Sequence, residues 1–279
     1  MARALVIGST GMLGWLLVRV LREAGHEVLA WNRGDAGFDA ARGIEGLPAD
    51  VDVAVNCVAV TRAPGPSSRQ LGDLVAVNGV FPHRLAEFAE LSGFRLIHIS
   101  SDGVFRGSTV PLFEDDEPTA VDVYGASKRL GEPASPAALS IRCSILGPER
   151  APRGHLMSWF LGQPDGRSVA GYSDQIWNGV TTLQLARFCE QLLSTTLWTE
   201  LRKRTPVVHY SPNEPLSKAD LLIEMARIYQ RDIRVEPRPS GVPFSRVLAS
   251  RHDDLLGLGE RRPFREALLD IRSSSLGEN

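Results

Sequence analysis

The feature that most constrains the fold is a turn with three regularly spaced glycines near the N-terminus. The segment Gly8–Gly14 reads G-x-x-G-x-x-G. The apolar, β-branched run Ala4–Ile7 precedes it and predicts a buried strand. Leucines at helical spacing follow between Leu13 and Leu21, and Gly25 suits the end of a helix. A strand that turns sharply into a helix is typical of the first unit of a parallel α/β sheet.

Strands and helices continue to alternate through the first half of the chain. This alternation predicts an α/β fold with a Rossmann-type, doubly wound parallel sheet. Right-handed crossovers place the carboxyl ends of the strands at one edge, so residues that follow the strands should meet there. The further predicted strands are His26–Trp31, Val51–Val55, Arg95–Ile99 and Leu139–Arg142, and the further predicted helices are Leu74–Ser92 and one that opens at Tyr124.

The glycine turn predicts a binding site for the pyrophosphate of a dinucleotide. The first glycine permits a tight turn, the second lets the ligand approach the backbone, and the third lets the helix pack closely on the strand. The start of the helix also offers unpaired N–H groups and a partial positive charge. The candidate cofactor-binding residues of this turn are Gly8, Thr10, Gly11, Met12, Leu13 and Gly14.

The end of the second predicted strand bears on the choice between NAD and NADP. NAD sites place a carboxylate there for the ribose 2′-hydroxyl. Here Asn32 and Arg33 follow Trp31 with no acid directly after the strand. A guanidinium matches phosphate oxygens in a bidentate way, so we expect Arg33 to pair with the 2′-phosphate of NADPH. NADH is the alternative cofactor if Arg33 is only a solvated loop residue. Phe38 and Asp39 are candidate adenine contacts.

Tyr124 and Lys128 are four residues apart, so they should lie on the same side of a helix. A nearby ammonium favours the phenolate and is expected to lower the tyrosine pKa, which is about 10 in the free side chain. Such a pair can protonate a carbonyl oxygen while a hydride reaches the carbonyl carbon. By itself the pattern is weak, because it also describes a surface pair. Ser101, after the predicted strand 95–99, is open to a plain interpretation as a turn residue.

Three segments, 8–14, 100–107 and 124–128, occur together in an informative order. In this order they resemble the extended short-chain dehydrogenase/reductase superfamily, and within it the dTDP-4-dehydrorhamnose reductases and related nucleotide-sugar 4-ketoreductases. The resemblance is strong up to residue 147 and looser beyond. The local matches are Val55–Ala59, Leu96–Asp102, Val104–Gly107 and Tyr124–Glu132.

This resemblance implies roles for individual residues. Ser101 corresponds to the hydroxyl that binds the substrate carbonyl, Tyr124 to the proton donor, and Lys128 to the residue that holds the nicotinamide ribose and tunes the tyrosine. Further implied cofactor contacts are Cys57, Val58, Ala59 and Asn78, although Asn78 equally suits a local hydrogen bond within its helix. The implied substrate contacts are Thr61, Ser101, Asp102, Gly103, Arg142, His155, Trp177 and Asn178, with Trp159, Gln175 and Arg246 as further candidates.

The implied activity is NADPH-dependent reduction of a nucleotide-linked, dTDP-type 4-keto-6-deoxyhexose at sugar C4. Gly103 stands where the rhamnose-forming reductases carry Tyr, and Ile145 where they carry Trp, so we expect a larger or differently shaped sugar site. Asp102 is followed by Gly103, which removes the second carboxylate that the 4,6-dehydratases use. A nucleotide-sugar epimerase and a non-catalytic, NADP-binding regulatory subunit remain as alternatives.

The pattern of the chain changes after residue 147, where a loop rich in Pro, Gly and Arg covers 147–153. We expect a dinucleotide-binding domain over residues 1–147 and a mainly substrate-binding lobe over residues 148–279, with segments around 175–195 returning to the first domain. The predicted elements of this half are a helix over 180–193, a strand over 206–210, a helix over 218–229 and a loop over 237–243.

Composition narrows the choice of partner and compartment. The chain carries 31 Lys plus Arg and 33 Asp plus Glu, a balance that argues against nucleic acid or an anionic membrane surface as partner. Three scattered Cys in apolar surroundings predict buried thiols in a reducing, cytoplasmic compartment. No clustered metal ligands occur in the sequence. The predicted partner is a nucleotide-sugar substrate, with a homodimer left open.

Overall fold

The computed structural model describes residues 1–61, 68–150 and 154–274. Residues 151–153 of the predicted loop and residues 275–279 of the predicted second lobe lie outside the described residues. The strands are β1 (Arg3–Ile7), β2 (Glu27–Trp31), β3 (Val53–Asn56), β4 (Arg95–Ile99), β5 (Ala138–Arg142), β6 (Ile145–Leu146), β7 (Arg167–Tyr172), β8 (Gln175–Trp177), β9 (Val180–Thr181), β10 (Val207–His209), β11 (Leu216–Ser217), β12 (Ile233–Arg238) and β13 (Phe244–Arg246).

Helices connect these strands and cover the central sheet. They are α1 (Gly14–Glu23), α2 (Ser68–Asp73), α3 (Phe81–Ser92), α4 (Val123–Leu130), α5 (Leu156–Leu161), α6 (Thr182–Ser194), α7 (Leu197–Arg204), α8 (Lys218–Ile228), α9 (Asp253–Leu256) and α10 (Phe264–Ser273). A π-helical segment, Leu74–Val80, joins α2 to α3. No helix within the described ranges is long and apolar enough to cross a membrane.

Six parallel strands form the central sheet, in the order β10-β5-β4-β3-β1-β2. Every residue of β3 and β5 is buried, as expected of strands covered on both faces. Leu16 and Leu17 of α1 pack on one face together with Leu185 of α6. Phe81 and Leu85 of α3 pack on the other face. The predicted α/β class with a Rossmann-type parallel sheet is therefore confirmed.

The strand order creates a crevice between β1 and β3. These two strands are neighbours, yet the chain leaves β1 toward β2 on one side and reaches β3 on the other. Connections that diverge in this way leave an opening at the carboxyl ends of the two strands, where α/β proteins bind ligands. The glycine turn follows β1, and Cys57 and Val58 follow β3, so both lie at this opening.

The chain beyond residue 150 builds a smaller set of sheets and also adds to the central sheet. β11, β8 and β13 form a three-stranded sheet, while β10 extends the central one. Phe160, Trp177, Leu221 and Phe264 belong to a separate apolar core in this part of the chain.

Most predicted boundaries shift by one or two residues, and three differences have an identifiable structural cause. α6 begins at Thr182 because Thr181 and Gln184 form a capping box and Val180–Thr181 pair with β6. The helix predicted from Leu74 is preceded by α2 and passes through the π-helical segment. Pro237, predicted as loop, lies in β12 and pairs with β7, since an edge strand tolerates proline.

Candidate active site

The glycine turn after β1 is packed too tightly for side chains at two of its three glycines. Gly8 has a φ of +83°, and a Cβ added there would lie 3.1 Å from Val58 Cγ2. A Cβ on Gly14 would lie only 2.2 Å from the Gly8 carbonyl oxygen. No side chain caps the start of α1 at Leu13. The turn therefore brings the start of a helix with no side-chain cap against the loop after β3, an arrangement suited to a phosphate group.

The loop after β2 contains both signs of charge. Asn32 Oδ1 accepts a hydrogen bond from the Thr10 N–H at 3.0 Å, which ties this loop to the glycine turn. The Arg33 side chain is 71% exposed and lies 3.6 Å from an oxygen of Asp39. Asp35, which we had not singled out from the sequence, accepts a hydrogen bond from the Asn32 N–H at 2.7 Å. Arg33 is therefore exposed enough to meet a phosphate, but its guanidinium already lies against the Asp39 carboxylate.

Phe38 does not offer an open surface for adenine. It is 2% exposed and packs against Phe81, with the ring centroids 5.7 Å apart. The expectation of an adenine contact through the Phe38 ring is therefore corrected: burial in the core makes it a packing residue. Asp39 is partly exposed in the same loop, so it remains a candidate contact for the adenine.

Asn78 stabilises the loop after β3 through side-chain hydrogen bonds to the backbone of that loop. Its Oδ1 accepts a hydrogen bond from the Val60 N–H at 2.8 Å, and its Nδ2 donates to the Val60 carbonyl oxygen at 2.9 Å and to Ser127 Oγ at 3.2 Å. All three bonds are internal, so the buried Asn78 positions the loop that contains Cys57, Val58 and Ala59. It sits in the π-helical segment, an irregularity that is frequent near functional sites.

Ser101 and Tyr124 come together because a short turn packs against the start of α4. Ser101 Oγ accepts a hydrogen bond from the Gly103 N–H at 3.0 Å, and Asp122 caps α4 by accepting from the Gly125 N–H at 3.0 Å. A Cβ on Gly103 would lie 3.1 Å from Ser101 Oγ and 3.3 Å from Tyr124 Cε1. Any side chain at position 103 would therefore press on both, so the glycine permits close packing and does not simply enlarge the pocket.

The Tyr124 phenol is protonated at neutral pH. Burial raises its pKa to about 12, a hydrogen bond with Ser101 acts in the opposite direction, and Asp102 adds to the rise. This direction is opposite to the lowering expected from the nearby ammonium. The reason is that loss of water around the phenol disfavours the phenolate, and the negative charges of Asp102 and Asp122 add to this effect. A protonated phenol is the form that can donate a proton.

Lys128 follows Tyr124 by one turn of α4 and is almost completely buried, with 1% of its surface exposed. Its Nζ donates a hydrogen bond to the Ile99 carbonyl oxygen at 2.7 Å. Burial lowers the pKa of Lys128 to about 8, while Glu132 acts in the opposite direction. The helix thus presents Tyr124 and Lys128 at the carboxyl end of β4, where Ser101 follows.

Arg142 is not placed to bind a substrate. Its Nε and Nη2 donate to the two oxygens of Glu132, each at 2.8 Å, and both side chains are buried. Ser100 Oγ donates to the same Glu132 carboxylate at 2.6 Å. Arg142 is therefore corrected from a substrate contact to part of a buried ion pair. Glu132 supports the segment that contains Ser101, and we had not singled it out as a partner of Arg142.

Asn178 also has an internal role. Its Oδ1 accepts a hydrogen bond from the Leu248 N–H at 2.8 Å, and its Nδ2 donates to the Leu248 carbonyl oxygen at 2.7 Å. The amide oxygen and the amide nitrogen are both used within the protein. The prediction that Asn178 contacts the substrate from a binding loop is therefore corrected. Trp177 beside it is buried and packs on Phe264 with centroids 5.5 Å apart.

A group of charged residues faces Asp102 from the second half of the chain. Burial raises the pKa of Asp102, and Arg246 and Lys218 oppose that rise. Lys218 Nζ lies 3.8 Å from the centroid of the Trp177 ring. Arg246 and Trp177 were candidates from the sequence, but Lys218 was missed, because a lysine at the start of an amphipathic helix reads as an ordinary surface residue.

Within the described residues, no hydrogen bond or ion pair joins the remaining candidates to Ser101 or Tyr124. His155 precedes α5, and its Nε2 lies 3.6 Å from Glu149. Trp159 is exposed on α5. Thr61 is exposed at the end of a described range, and Gln175 opens β8. Among the residues described, no group of three or more His, Cys, Asp or Glu is arranged to hold a metal ion.

Comparison with known proteins identifies relatives over the whole chain. The profile of the RmlD substrate binding domain family matches residues 2–273. The probable low-salt glycan biosynthesis reductase Agl14 of Haloferax volcanii is 37% identical over 160 residues, 51% of this chain and 53% of that protein. The dTDP-4-dehydrorhamnose reductase of Mycolicibacterium smegmatis is 28% identical and covers 99% of this chain and 86% of that protein.

Solved structures show the same fold. The crystal structure of a dTDP-4-dehydrorhamnose reductase from Bacillus anthracis in complex with NADP superposes with a TM-score of 0.80 at 17% identity, covering 99% of this chain and 100% of that one. By contrast, the chain spans only about half the length of the first curated relatives that it matches, from 44% to 53%. The match to the Mycolicibacterium protein is longer but more distant.

Proposed function

The chain belongs to the RmlD substrate binding domain family, and we propose that it is an NADPH-dependent reductase. The proposed substrate is a nucleotide-linked 4-keto-6-deoxyhexose, and the dTDP-linked sugar is the first to be tested. One observation carries the proposal: the Ser101 hydroxyl and the Tyr124 phenol are within hydrogen-bonding reach, and the buried Lys128 lies one turn along the same helix. They lie at the sheet edge that also holds the glycine turn. The reductase names of the relatives agree with this choice.

The residues at the edge of the sheet fit a dinucleotide. The segment Gly8–Gly14 would hold the pyrophosphate, since its glycines leave backbone where side chains cannot fit. Arg33 would meet a 2′-phosphate, and the loop Cys57–Ala59 would line the opening. When bound, NADPH supplies the hydride. We assign the dinucleotide to residues 1–147 and most substrate contacts to residues 148–279.

The protein side of the reaction is the transfer of one proton. We propose that Ser101 donates a hydrogen bond to the carbonyl oxygen and that Tyr124 gives that oxygen its phenolic proton. Groups aimed at a developing alkoxide stabilise the transition state more than the ground state. The pKa of about 12 keeps the phenol protonated until the oxygen becomes strongly basic. Lys128, one turn further along α4, would offer an ammonium that favours the phenolate once it forms.

The decisive experiment replaces Tyr124 by Phe and measures NADPH oxidation with dTDP-4-dehydro-6-deoxyhexoses. Loss of a positioned acid should lower turnover by about a hundred- to ten-thousand-fold while NADPH still binds. Tyr172→Phe, an exposed tyrosine on β7, is the matched control and should keep wild-type turnover. A Tyr124→Phe rate within a few-fold of wild type would remove the tyrosine from the mechanism.

The same assay separates the alternatives. NADPH binding without oxidation, for every 4-keto sugar offered, would favour a non-catalytic subunit. Interconversion of two nucleotide sugars with no net change in cofactor would favour an epimerase. Net NADPH consumption with one such sugar supports the reductase.

A further inference from the structure

A row of polar side chains crosses the buried centre of the main sheet. Asn56 on β3 is in register with His98 on β4, and His98 is in register with Ser140 on β5. All three side chains are completely buried. Leu96 and Ala138, two residues earlier on β4 and β5, belong to the apolar core that packs against α3. The polar row therefore interrupts an otherwise apolar face of the sheet.

Two members of this row form a hydrogen-bonded pair whose direction can be assigned. Asn56 Nδ2 lies 3.1 Å from His98 Nδ1, and Asn56 Oδ1 accepts a hydrogen bond from the Val58 N–H at 3.1 Å. The bond from Val58 fixes which end of the amide is the oxygen, because a rotated amide would set its NH₂ group against another N–H. Asn56 therefore donates to His98, and Nδ1 of the ring is the acceptor.

An accepting Nδ1 also assigns the tautomer of His98. A neutral imidazole that accepts at Nδ1 carries its proton on Nε2. Burial lowers the pKa of His98 well below its usual value of 6.5, and the charges of Lys128 and His83 act in the same direction. The ring is therefore neutral at physiological pH, and its hydrogen-bond network assigns it as the Nε2–H form.

Packing alone does not account for a histidine at this position. His98 Nε2 and Ser140 Oγ have no hydrogen-bond partner within the described part of the chain. Because a buried donor without a partner is costly, the imidazole ring is a poor choice for filling space in a core. What the ring supplies, and an apolar side chain would not, is the acceptor at Nδ1 for Asn56.

The Asn56 amide connects this contact to the cofactor opening. Its partner Val58 belongs to the loop after β3, and a Cβ added to Gly8 would lie 3.1 Å from Val58 Cγ2 and 3.2 Å from Val58 N. The loop thus packs directly on the glycine turn. His98, Asn56 and Val58 form a continuous path from the centre of the sheet to the turn that is suited to a phosphate group.

We propose that His98 is a positioning residue for the dinucleotide: its Nδ1 fixes the Asn56 amide, which in turn holds the loop Cys57–Ala59 in its binding position. This proposal rests on the proposed function, because it assumes that this loop lines the cofactor site. Without the acceptor, the loop of the free protein is no longer held in one position. The apparent affinity for the cofactor then falls with the fraction of molecules in which the loop is in place.

The test compares three substitutions that differ in the atom offered to Asn56. His98→Asn puts an oxygen where Nδ1 was, since both atoms are bonded to Cγ, and should keep the NADPH dissociation constant within about twofold of wild type. His98→Gln and His98→Leu offer no acceptor there. Each should raise the dissociation constant about five- to tenfold, as expected for loss of one hydrogen bond. Fluorescence titration of NADPH into the full chain measures all three.

Two controls separate positioning from a general loss of stability. Ser140→Ala alters the same buried row without removing the acceptor of Asn56, and Ile97→Val removes a buried carbon atom from β4 on the opposite face of the sheet. Both should leave the NADPH dissociation constant unchanged, even where thermal unfolding shows a lower Tm. In parallel, ¹⁵N NMR of the wild type should show His98 with a protonated Nε2 and an unprotonated Nδ1.

The proposal is overturned if folded His98→Gln and His98→Leu proteins bind NADPH within about twofold of wild type. A His98→Asn protein that binds as weakly as these two, a wild-type proton on Nδ1, or a wild type that binds neither NADPH nor NADH would also overturn it. If His98→Gln and His98→Leu do not fold, the affinity of His98→Asn and the wild-type tautomer decide.

The proposed function fails separately from this positioning role. A wild type that binds NADPH, and loses affinity on His98→Gln, but oxidises no NADPH with any 4-keto sugar keeps the positioning role of His98 and loses the reductase activity.

Discussion

Replacement of Gly14 by alanine should weaken both the fold and the cofactor site. The new Cβ would lie 2.2 Å from the Gly8 carbonyl oxygen, 2.8 Å from its carbon and 2.9 Å from Ser9 Cα. All three are backbone atoms, so no side chain can rotate away. The turn would have to move by roughly 1 Å, against the 2.8 Å hydrogen bond from the Gly8 N–H to the Trp31 carbonyl oxygen.

The expected cost follows from two opposing effects. Overpacking against backbone costs up to about 3 kcal/mol. Alanine is the better helix former by about 1 kcal/mol, which offsets part of this cost. The net loss in the free energy of unfolding should be roughly 2 kcal/mol, or a Tm lower by about 4–8 °C for a domain of this size. NADPH affinity should fall at least about tenfold, because the displaced turn no longer presents its amide groups to the pyrophosphate.

Gly11→Ala is the matched comparison. A Cβ at Gly11 meets only the Gly8 carbonyl oxygen, at 3.2 Å. We expect less than about 1 kcal/mol of destabilisation there, with NADPH affinity still reduced because the methyl group occupies the approach to the backbone. Urea unfolding and NADPH fluorescence titration of both variants measure the two effects. A Gly14→Ala protein with wild-type Tm and wild-type NADPH affinity would refute the packing argument.

Three further predictions concern charged residues. Arg33→Ala should weaken NADPH more than NADH, while Arg234→Ala, exposed on β12, should change neither; equal losses for both cofactors in binding titrations would discard the 2′-phosphate contact. Glu132→Gln should lower the free energy of unfolding by about 3–5 kcal/mol in urea, because it leaves the buried Arg142 without its counter-ion, and a loss under about 1 kcal/mol would contradict that reading. The pKa of Lys128 falls from 10.5 to about 8 on folding, so between these values the unfolded chain holds the extra proton and wild-type stability rises with pH. The stability of Lys128→Met relative to wild type should therefore decrease by roughly 3 kcal/mol between pH 7 and pH 10.5, and a pH-independent difference would contradict the shift.

Local sequence patterns were enough to place most elements and the catalytic candidates. The run Ala4–Ile7 is buried as predicted, since strands covered on both faces are mostly apolar, and Arg95–Ile99 forms the predicted strand with all but Arg95 buried. The glycine spacing located the turn after β1. Tyr124 and Lys128 share a helix face, and Ser101 follows β4, so the parallel topology alone was enough to expect them close together.

Polar residues whose partners lie outside their own helix or strand were assigned less well. Arg142 and Asn178 looked like binding residues, yet each is used by an internal partner, Glu132 and Leu248. The predicted lowering of the Tyr124 pKa was also wrong: the pKa is raised, because burial of the phenol depends on the whole fold. Lys218 carries no local signal, since only the pairing of β11 with β8 brings it over Trp177.

The sequence by itself determined the class of fold, the glycine turn and the residues that can carry acid chemistry, because these depend on periodicity and on neighbours a few positions apart. The tertiary structure decided which charges are paired, which are withdrawn from water and which face the cleft. The physical reason is that the free energy of a charge depends on its solvation and on groups within a few ångströms, and here those groups come from segments 10 to 136 residues apart in the chain.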